Sequence, residues 1–373
     1  MLENLVIRVL GVVAMLGAVA LGCGDEGCEG PGCNGGGAGG AVGSGGIGGA
    51  GPIELQVQDF ITGLSKPWDI GWLPDGTVVV TERPGRLNVY ADGPDAAPLT
   101  VTIDDVIAAG EGGLMGLEID PSFATNDYIY VCTTSNAGVE NDVRVVRLNL
   151  QIRDGDLIVS RDDIVTGIPY RNSGPAGRHS GCRPRFGPDG FLWVGTGDAA
   201  IGTTPQDDDS LGGKVVRVDR NGAAASGNLN GLWYSKGHRN IQGMAFRSDG
   251  LGMSAEHGPD IDDEVNALVA GNFGWDPVPG YDESVPMTDL DKFPDAVEAA
   301  WSSGAPTLAV AGADFVEGSD WGNWNGALVV ATLKAQHLHV LFVDAVGNVT
   351  GELRAIEDEG RLRTPRQGPD GLL

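Results

Sequence analysis

Residues 237–275 decide the fold that the sequence predicts, and they read GHRNIQGMAFRSDGLGMSAEHGPDIDDEVNALVAGNFGW. The apolar run 244–246 is followed by the turn residues Ser-Asp-Gly at 248–250, and a second short run ends at Glu256. Two short apolar runs joined by turn residues predict a β-hairpin with polar loops at its ends. One loop carries an Arg-Asn pair and the other a dense group of carboxylates, which indicates the wall of a binding site.

Apolar runs of the same kind recur along the chain, each after a turn that contains Asp or Asn. The runs occupy residues 76–81, 128–132, 191–195, 326–331 and 371–373, and the turn residues are Asp75, Asn126, Asp189, Asp249, Asn325 and Asp370. Successive turns lie 45 to 76 residues apart, enough for a handful of strands each, and no long amphipathic helix competes with them. Six such units predict an all-β fold, a six-bladed β-propeller. A sandwich or barrel is the alternative, but it would need strands at closer and more even spacing.

The sequence stops at Leu373, directly after a Pro-Asp-Gly turn that should open a strand. A propeller closes its ring by pairing strands from both ends, because an open sheet edge exposes unpaired backbone groups. The last blade is therefore expected to be incomplete at the C-terminus.

Composition narrows the class of partner. The chain has 373 residues, 41% of them hydrophobic, and a formal net charge of −27. Strong negative charge argues against nucleic acid and anionic membrane surfaces as partners. Most of this charge is explained by a solvated acidic surface that keeps the protein soluble.

Residues 1–23 are predicted to be a targeting segment outside the fold. Residues 5–21 are apolar apart from Arg8, too short for a comfortable membrane span, and the segment ends in Leu-Gly-Cys at Cys23. This resembles a bacterial lipoprotein signal, so we expect an exported protein, periplasmic or anchored in the outer membrane through a lipid on Cys23. A cleaved secretory signal without lipid is the alternative. The lipid would be its only contact with the membrane.

Residues 24–51 are mostly glycine and predict a flexible linker, which leaves residues 52–373 for the propeller. Cys28 and Cys33 lie in the linker and could pair in an oxidising compartment. Cys132 and Cys182 lie in the propeller, and sequence does not determine whether they pair.

From about Leu64 to Leu373 the chain resembles the PQQ-dependent soluble sugar dehydrogenases, the glucose/sorbosone or aldose sugar dehydrogenase family. The matching motifs stand in family order: PWDIGWLPDG, VTERPGRL, GEGGLMGLEIDPSF, RHSGCRPRFGPDGFLWVGTGD, LGGKVVRVDRNG, GHRNIQGMAF, EHGPDIDDEVN, GNFGW, ATLKAQHL and GRLRTPRQGPDGLL. The Pro-Asp-Gly turns are common to many propellers, whereas the ordered set from GHRN to LKAQHL is specific. The resemblance implies a six-bladed propeller that binds pyrroloquinoline quinone (PQQ) and calcium.

PQQ is a planar quinone with three carboxylates, so a site for it needs cations, preferably arginine. The resemblance implies that Lys334, Arg361 and Arg363 contact the cofactor, and the alternative for the two arginines is a pair of surface charges. Arg239 and Asn240 match a pair beside the quinone oxygens. Glu111 stands where one branch has a glutamine at the cofactor and sugar.

Oxidation of a sugar by hydride transfer needs a base for the hydroxyl proton, and histidine suits that task. The resemblance places this base at His179, which follows Arg178 where one branch has an acid, and it assigns Arg239 to charge developing on the quinone oxygen. His238 and His257 flank the same site and are expected to be structural or to pack against the cofactor. His337 and His339 lie two apart on a predicted strand; this spacing could chelate a metal, although packing on a sheet face is favoured.

Calcium prefers carbonyl and carboxylate oxygens, and the resemblance implies two ions. The catalytic ion takes the backbone carbonyls of Gly258 and Pro259. A structural ion takes a carboxylate and nearby carbonyls, by position Glu264, Phe273, Tyr281, and Asp282 or Glu283. The alternative for residues 260–263 is a plain acidic loop, and no EF-hand spacing is present.

These features together predict a PQQ- and calcium-dependent dehydrogenase that oxidises the C1 hydroxyl of an aldose to the lactone. Its partners would be a small sugar and a periplasmic electron acceptor, with no nucleic acid. A non-catalytic propeller that binds a glycan or a protein is the alternative. A metal-dependent propeller lactonase is a third reading, and the cations Lys334, Arg361 and Arg363 argue against it.

Overall fold

The computed structural model describes residues 5–12 and 53–373. Most of the predicted signal and all of the predicted linker up to Gly51 lie outside the described residues, as do Cys23, Cys28 and Cys33. Residues 5–12 form a strand whose side chain at Leu10 is buried. The assignment of this segment as an export signal stays a prediction.

The described residues fold into six β-sheets, five of them with four or five strands. A two-stranded sheet holds β1 (Leu5–Val12) and β2 (Leu55–Leu64). The next two hold β3 (Pro67–Trp72), β4 (Val78–Glu82), β5 (Arg86–Tyr90) and β6 (Leu99–Thr102), and then β7 (Leu114–Ile119), β8 (Tyr128–Ser135), β9 (Asp142–Arg153) and β10 (Asp156–Ile168). The fourth sheet holds β11 (Gly181–Phe186), β12 (Leu192–Thr196), β13 (Lys214–Val218), β14 (Trp233–Lys236) and β18 (Gly271–Asn272). The fifth holds β15 (Ile241–Phe246), β16 (Gly252–Glu256), β17 (Glu264–Ala267) and β19 (Trp301–Ser302). The sixth holds β20 (Val310–Val316), β21 (Ala327–Thr332), β22 (Leu338–Val343) and β23 (Val349–Ala355).

Helix is nearly absent from the described part of the chain. It consists of α1 (Phe123–Asn126) and a 3-10 helix (Ser319–Trp324). No helix there has the length and apolar character needed to cross a bilayer.

The sheets are the blades of the predicted six-bladed propeller. Within each blade the pairing is antiparallel, apart from the short parallel contact of β14 with β18. The first strands of successive blades, β3, β7, β11, β15 and β20, are neighbours in chain order and so surround the axis. Apolar side chains fill the space between adjacent blades, where each fully buried Val or Leu stabilises the fold by roughly 1.5–3 kcal/mol.

The apolar runs predicted from sequence at 76–81, 128–132, 191–195 and 326–331 are confirmed as β4, β8, β12 and β21. The run 371–373 is not a strand. Instead, the backbone of Leu373 exchanges two hydrogen bonds with Leu10, which places it beside β1.

The predicted hairpin in residues 237–275 is confirmed as β15 and β16. Its turn is stabilised because Asp249 Oδ1 accepts from the backbone N–H of Leu251, and Gly250 adopts the positive φ that favours glycine. This hairpin brings Arg239 and Asn240 to the same end of the blade as Glu256 and His257.

Buried charges cross the propeller axis and pair there. Asp69 on β3 accepts from Arg183 on β11 at 2.6 Å, and Arg185 Nη1 lies 3.3 Å from the same oxygen. Burial alone would raise the pKa of Asp69, but the two arginines lower it to about 2. The axis below the site is therefore held by ion pairs rather than by apolar packing.

A disulfide joins two blades beside the axis. Cys132 in β8 and Cys182 in β11 are bonded across a Cα–Cα distance of 5.7 Å, and both are fully buried. The structure thus decides a pairing that the sequence left open.

Candidate active site

His179 lies in a tight turn just before β11, and the turn is held at several points. Its backbone has a φ of +51°, a left-handed conformation that side chains disfavour. Its N–H donates to Glu111 Oε1 at 2.7 Å, and the N–H of Gly181 donates to Asn240 Oδ1 at 3.1 Å. These contacts from two other blades fix a conformation that the local sequence alone does not favour.

The imidazole of His179 lies in a group formed by His179, Asp198, Tyr281 and Trp275, which we call the base cluster after the predicted role of His179. Nδ1 of His179 lies 2.8 Å from Asp198 Oδ1 and 2.9 Å from the Tyr281 hydroxyl. Tyr281 and the Trp275 indole both donate to Asp198 Oδ2, at 2.7 and 2.8 Å. Burial and the Asp198 charge raise the pKa of Tyr281, so its hydroxyl stays a proton donor.

The contacts of His179 select one tautomer. Asp198 is an acceptor at Nδ1, so Nδ1 carries the proton, while Arg178 Nε donates to Nε2 at 3.2 Å. Nε2 therefore carries the lone pair. A histidine oriented by a carboxylate at one nitrogen and carrying a lone pair at the other has the geometry of a general base.

Glu111 connects the base to the rest of the predicted site. Its second oxygen accepts from Asn240 Nδ2 at 3.0 Å and from Gln242 Nε2 at 2.7 Å, and Gln242 Oε1 in turn lies 3.4 Å from Arg363 Nη1. Burial alone would raise the pKa of Glu111, but His179 and the hydrogen bond from Asn240 lower it. The Glu111 carboxylate thus accepts hydrogen bonds from residues of two other blades.

Arg239 is buried with one donor to spare. Its Nη1 donates to the carbonyl of His257 at 2.6 Å, Nη2 pairs with Glu283, and the guanidinium lies over the ring of Trp275. Its Nε is buried and has no hydrogen-bond partner among the described residues. An unsatisfied N–H on this guanidinium fits an anionic oxygen of a cofactor such as PQQ.

The structure places Glu283 elsewhere than the predicted calcium set. Both of its oxygens lie 2.6 Å from Arg178 Nη2, and Arg239 contacts one of them. Burial alone would raise the pKa of Glu283, but the hydrogen bonds from the two arginines lower it. A carboxylate between two guanidiniums is not available to a cation, so Glu283 leaves the set of calcium ligands.

The side chain of Tyr281 has a role beyond the one predicted, because it completes the base cluster. The predicted use of its backbone carbonyl by calcium stays a prediction. Asp282 is exposed and accepts from the backbone and hydroxyl of Ser284. The loop therefore supplies the base cluster with a phenol and the arginines with a carboxylate.

The three predicted cofactor cations separate in the structure. Arg363 lies 4.0 Å from the ring of Trp68, and burial lowers its pKa to about 9 despite the charge of Glu111. Arg361 and Arg363 line a cavity of about 520 Å³ together with Trp68 and Asp69. Lys334 and Arg361 are exposed, and within residues 53–373 neither is hydrogen-bonded to the Glu111 cluster. Arg363 alone of the three is joined to that cluster.

The Gly-Pro turn predicted for the catalytic calcium borders Arg239. His257, just before it, offers its carbonyl to Arg239, and its ring Nδ1 lies 2.5 Å from the Gly258 carbonyl. Asp263 is fully buried and accepts from the N–H of Gly258, the hydroxyl of Thr307 and two further backbone N–H groups. Asp263 thus shapes the turn that presents the carbonyls of Gly258 and Pro259, and it is not a surface charge.

Glu264 is suited to a cation by its surroundings. It faces Glu256 across the β16–β17 pair, and burial together with the Glu256 charge raises the pKa of Glu264 to about 8. Asn266 Oδ1, on the same strand, is buried without a hydrogen-bond partner among the described residues. A buried carboxyl beside a like charge and an unpaired acceptor fits calcium.

The neighbouring Phe273 is placed by packing. Its ring lies 4.4 Å from that of His238, and His238 Nδ1 lies 2.8 Å from Glu256. His238 is therefore a structural residue, as expected. Within the described residues, no three His, Cys, Asp or Glu side chains are grouped to hold a metal ion, so a calcium site here depends on backbone carbonyls.

His337 and His339 lie apart from the base cluster. They contact each other at 3.2 Å, and His339 Nε2 lies 3.1 Å from Glu352, beside the ring of Trp301. Both are buried against the sheet face, as the favoured interpretation predicts.

Sequence reasoning missed Asp198, the base's orienting carboxylate. The available signal was its position: a lone acid at the end of the apolar strand β12, in the motif GTGD that was used only for resemblance. The roles of Gln242, Trp275 and Glu283 had no local signal, because they depend on contacts between blades.

Comparison with known proteins finds a matching family model, relatives in sequence and a similar solved structure. The model of the Glucose / Sorbosone dehydrogenase family matches residues 64–373. Aldose sugar dehydrogenase YliI of Escherichia coli (strain K12) is 31% identical over 345 residues, covering 87% of this chain and 90% of the relative. Quinoprotein glucose dehydrogenase B of Acinetobacter calcoaceticus is 28% identical over 254 residues, covering 59% and 52% of the two chains. The PQQ-bound aldose sugar dehydrogenase from Streptomyces coelicolor has a similar structure, with a TM-score of 0.69, 29% identity, and coverage of 84% of this chain and 87% of that one.

Proposed function

The chain belongs to the glucose/sorbosone dehydrogenase family, and we propose that it oxidises the C1 hydroxyl of an aldose to the lactone, using PQQ and calcium. The observation that carries this proposal is the pairing of His179 with Asp198. It leaves Nε2 with a lone pair, and Glu283 joins Arg178, which contacts Nε2, to Arg239. A base and an anion-binding cation at one place are the two groups that the reaction requires of the protein.

The side chains of this protein would carry out the proton transfer of the reaction. His179 Nε2 would take it from the C1 hydroxyl as C1 loses its hydride, and Asp198 would stabilise the imidazolium that forms. Arg178 now donates to the same Nε2, so the sugar hydroxyl would replace that contact. PQQ, when bound, would supply the hydride acceptor, and calcium would polarise it.

Cofactor and metal would be held by residues that fit them. Asn240 and Arg363 are joined through Glu111 and Gln242, and Arg239 is joined to Arg178 through Glu283. Lys334 and Arg361 would add charge for the cofactor carboxylates. The carbonyls of Gly258 and Pro259 would hold the catalytic calcium, and Glu264 with the Phe273 carbonyl a structural one.

The cellular setting is part of the proposal. An exported, lipid-anchored protein is supported by the lipoprotein-like segment ending at Cys23, and cleavage before Cys23 would remove β1 from the mature protein. The buried disulfide adds to this, because such bonds persist mainly in oxidising compartments. Replacement of Cys23 by Ser, followed by fractionation and mass spectrometry of the mature N-terminus, would test the anchor. Electrons would pass to an acceptor in the same compartment.

Reconstitution tests the activity. PQQ and Ca²⁺ are added to the purified protein, and dye reduction is followed with glucose and other aldoses. We expect sugar-dependent turnover and a bound-quinone absorbance. A binding module would show neither, and a lactonase would hydrolyse gluconolactone without PQQ.

A matched pair of variants tests the base. His179→Gln should retain PQQ and lose turnover, whereas His337→Gln, in a buried histidine far from the base cluster, should leave turnover unchanged. Retained turnover in His179→Gln would refute the assignment of the base.

A further inference from the structure

We propose that the disulfide Cys132–Cys182 is a positioning device for His179, in addition to a link between two blades. The inference rests on the proposed role of His179 as the base. It begins from sequence distance: Cys182, the second residue of β11, lies three residues after His179, whereas the partner of Cys182 lies 50 residues away.

The turn holds an unfavourable backbone at Cys182. The φ of Cys182 is +68°, and the pairing of β11 with β12 shifts register between Gly181 and Arg183. Cys182 is therefore the extra residue of a β-bulge in the left-handed conformation, a position that normally takes glycine. His179, at +51°, shares this conformation. Two side-chain-bearing residues within four positions thus depend on outside support.

Non-covalent support reaches the turn mainly at its other residues. Glu111 accepts from the N–H of His179, Asn240 accepts from the N–H of Gly181, and Ser180 Oγ donates to the Gly177 carbonyl. At Cys182 the side-chain anchor is the covalent bond to Cys132.

The anchor itself is rigid. Cys132 is fully buried in the middle of β8, and Cys182 packs in the same apolar cluster with Met115. The Cys182 carbonyl lies so close to Gly116 on β7 that a Cβ there would come within 2.7 Å of it. Displacement of the bulge would therefore move the turn relative to Asp198 and Glu111, and small displacements of a reacting group are costly to rate.

Two variants separate positioning from simple stabilisation. Cys132→Ala breaks the bond and leaves the sequence of the turn unchanged. Cys132→Ala/Cys182→Gly also breaks the bond, but glycine adopts the left-handed conformation without cost. Both lose the cross-link equally, so a purely structural effect would be common to both.

In assays well below the unfolding temperature of Cys132→Ala, we expect its kcat to fall about tenfold or more, with KM little changed. The double variant should recover most of kcat although its thermal midpoint stays lowered. Equal kcat in wild type and Cys132→Ala, or equal losses in both variants, would overturn the proposal.

A second readout needs neither cofactor nor turnover. The chain has five histidines, so the His179 imidazole resonances of ¹⁵N-labelled protein can be assigned by their loss in His179→Gln. We expect these resonances to shift in Cys132→Ala and to return to their wild-type positions in the double variant. Should Cys132→Ala fail to fold, the same shift is expected in folded wild type after reduction of the disulfide. Unmoved resonances would overturn the proposal. Absence of wild-type dye reduction would instead refute the proposed function, and the resonances would still report the position of His179.

Discussion

His179 Nδ1 and Asp198 Oδ1 lie 2.8 Å apart, although the two residues belong to different loops of one blade. One loop follows the long strand β10 and the other follows β12. The pairing of β11 with β12 brings these loops together, and Tyr281 and Trp275 cover the carboxylate from a third segment. The imidazole of His179, the proposed base, is thus oriented before any substrate arrives.

Asp198→Asn should reduce kcat by about 10²- to 10⁴-fold, because an amide can donate to Nδ1 and favour the wrong tautomer. PQQ affinity should change little. Asp189→Asn is the matched control, since Asp189 pairs with Arg217 away from the base cluster. Steady-state kinetics and a quinone titration would measure both. Loss of PQQ binding in Asp198→Asn would show that Asp198 acts on the cofactor instead.

Tyr281→Phe should lower kcat by about tenfold, the effect of removing one hydrogen bond to a charged group. Asp198 keeps its donors from Trp275 and from the backbone N–H of Ala200. The double variant with Asp198→Asn should lose no more than Asp198→Asn alone, because the two residues act as a unit. Additive losses would separate Tyr281 from the base cluster.

Glu283→Gln should tighten PQQ binding several-fold. The Glu283 carboxylate now pairs with Arg239, the cation proposed for the quinone, so an anionic cofactor has to compete with it. The gain is modest because Glu283 is partly exposed and its ion pairs are screened. Fluorescence titration would measure it, with Glu298→Gln as a control at an exposed carboxylate. Weaker binding would show that Glu283 supports the cofactor.

Glu264 should make stability depend on pH in the absence of calcium. Burial and Glu256 raise the pKa of Glu264 from 4.5 to about 8, so the folded state keeps a proton that the unfolded state loses between these values. Its contribution is full below pH 4.5 and is lost as pH rises through 8. Thermal melts in chelator should show this decline, and Glu264→Gln should flatten it.

Calcium should reverse the same decline. An ion at Glu264 would stabilise the carboxylate, so added Ca²⁺ should raise the thermal midpoint most above pH 8. Glu264→Gln should remove that response. An equal response in both proteins would place the stabilising ion elsewhere.

The sequence by itself determined the class of fold and several of the residues that form the candidate site. Short apolar runs after Asp or Asn turns are local signals, because turn residues and period-2 alternation act over a few positions. They sufficed for the hairpin β15–β16 and for four of the five predicted runs. The ordered motifs that resemble the family sufficed for His179, Glu111 and Arg239, each of which the structure brings into one hydrogen-bonded group.

Only the tertiary structure decided which side chains complete that group. Asp198 orients the base, Glu283 bridges two arginines, and Cys132 bonds Cys182, all through the way neighbouring blades and loops meet. Arg363 is joined to Glu111 through Gln242, whereas Lys334 and Arg361 remain exposed. All three are cations, so residue type alone could not predict this difference. The physical reason is range: contacts across a propeller depend on the register and packing of distant strands, and no local pattern in the chain encodes them.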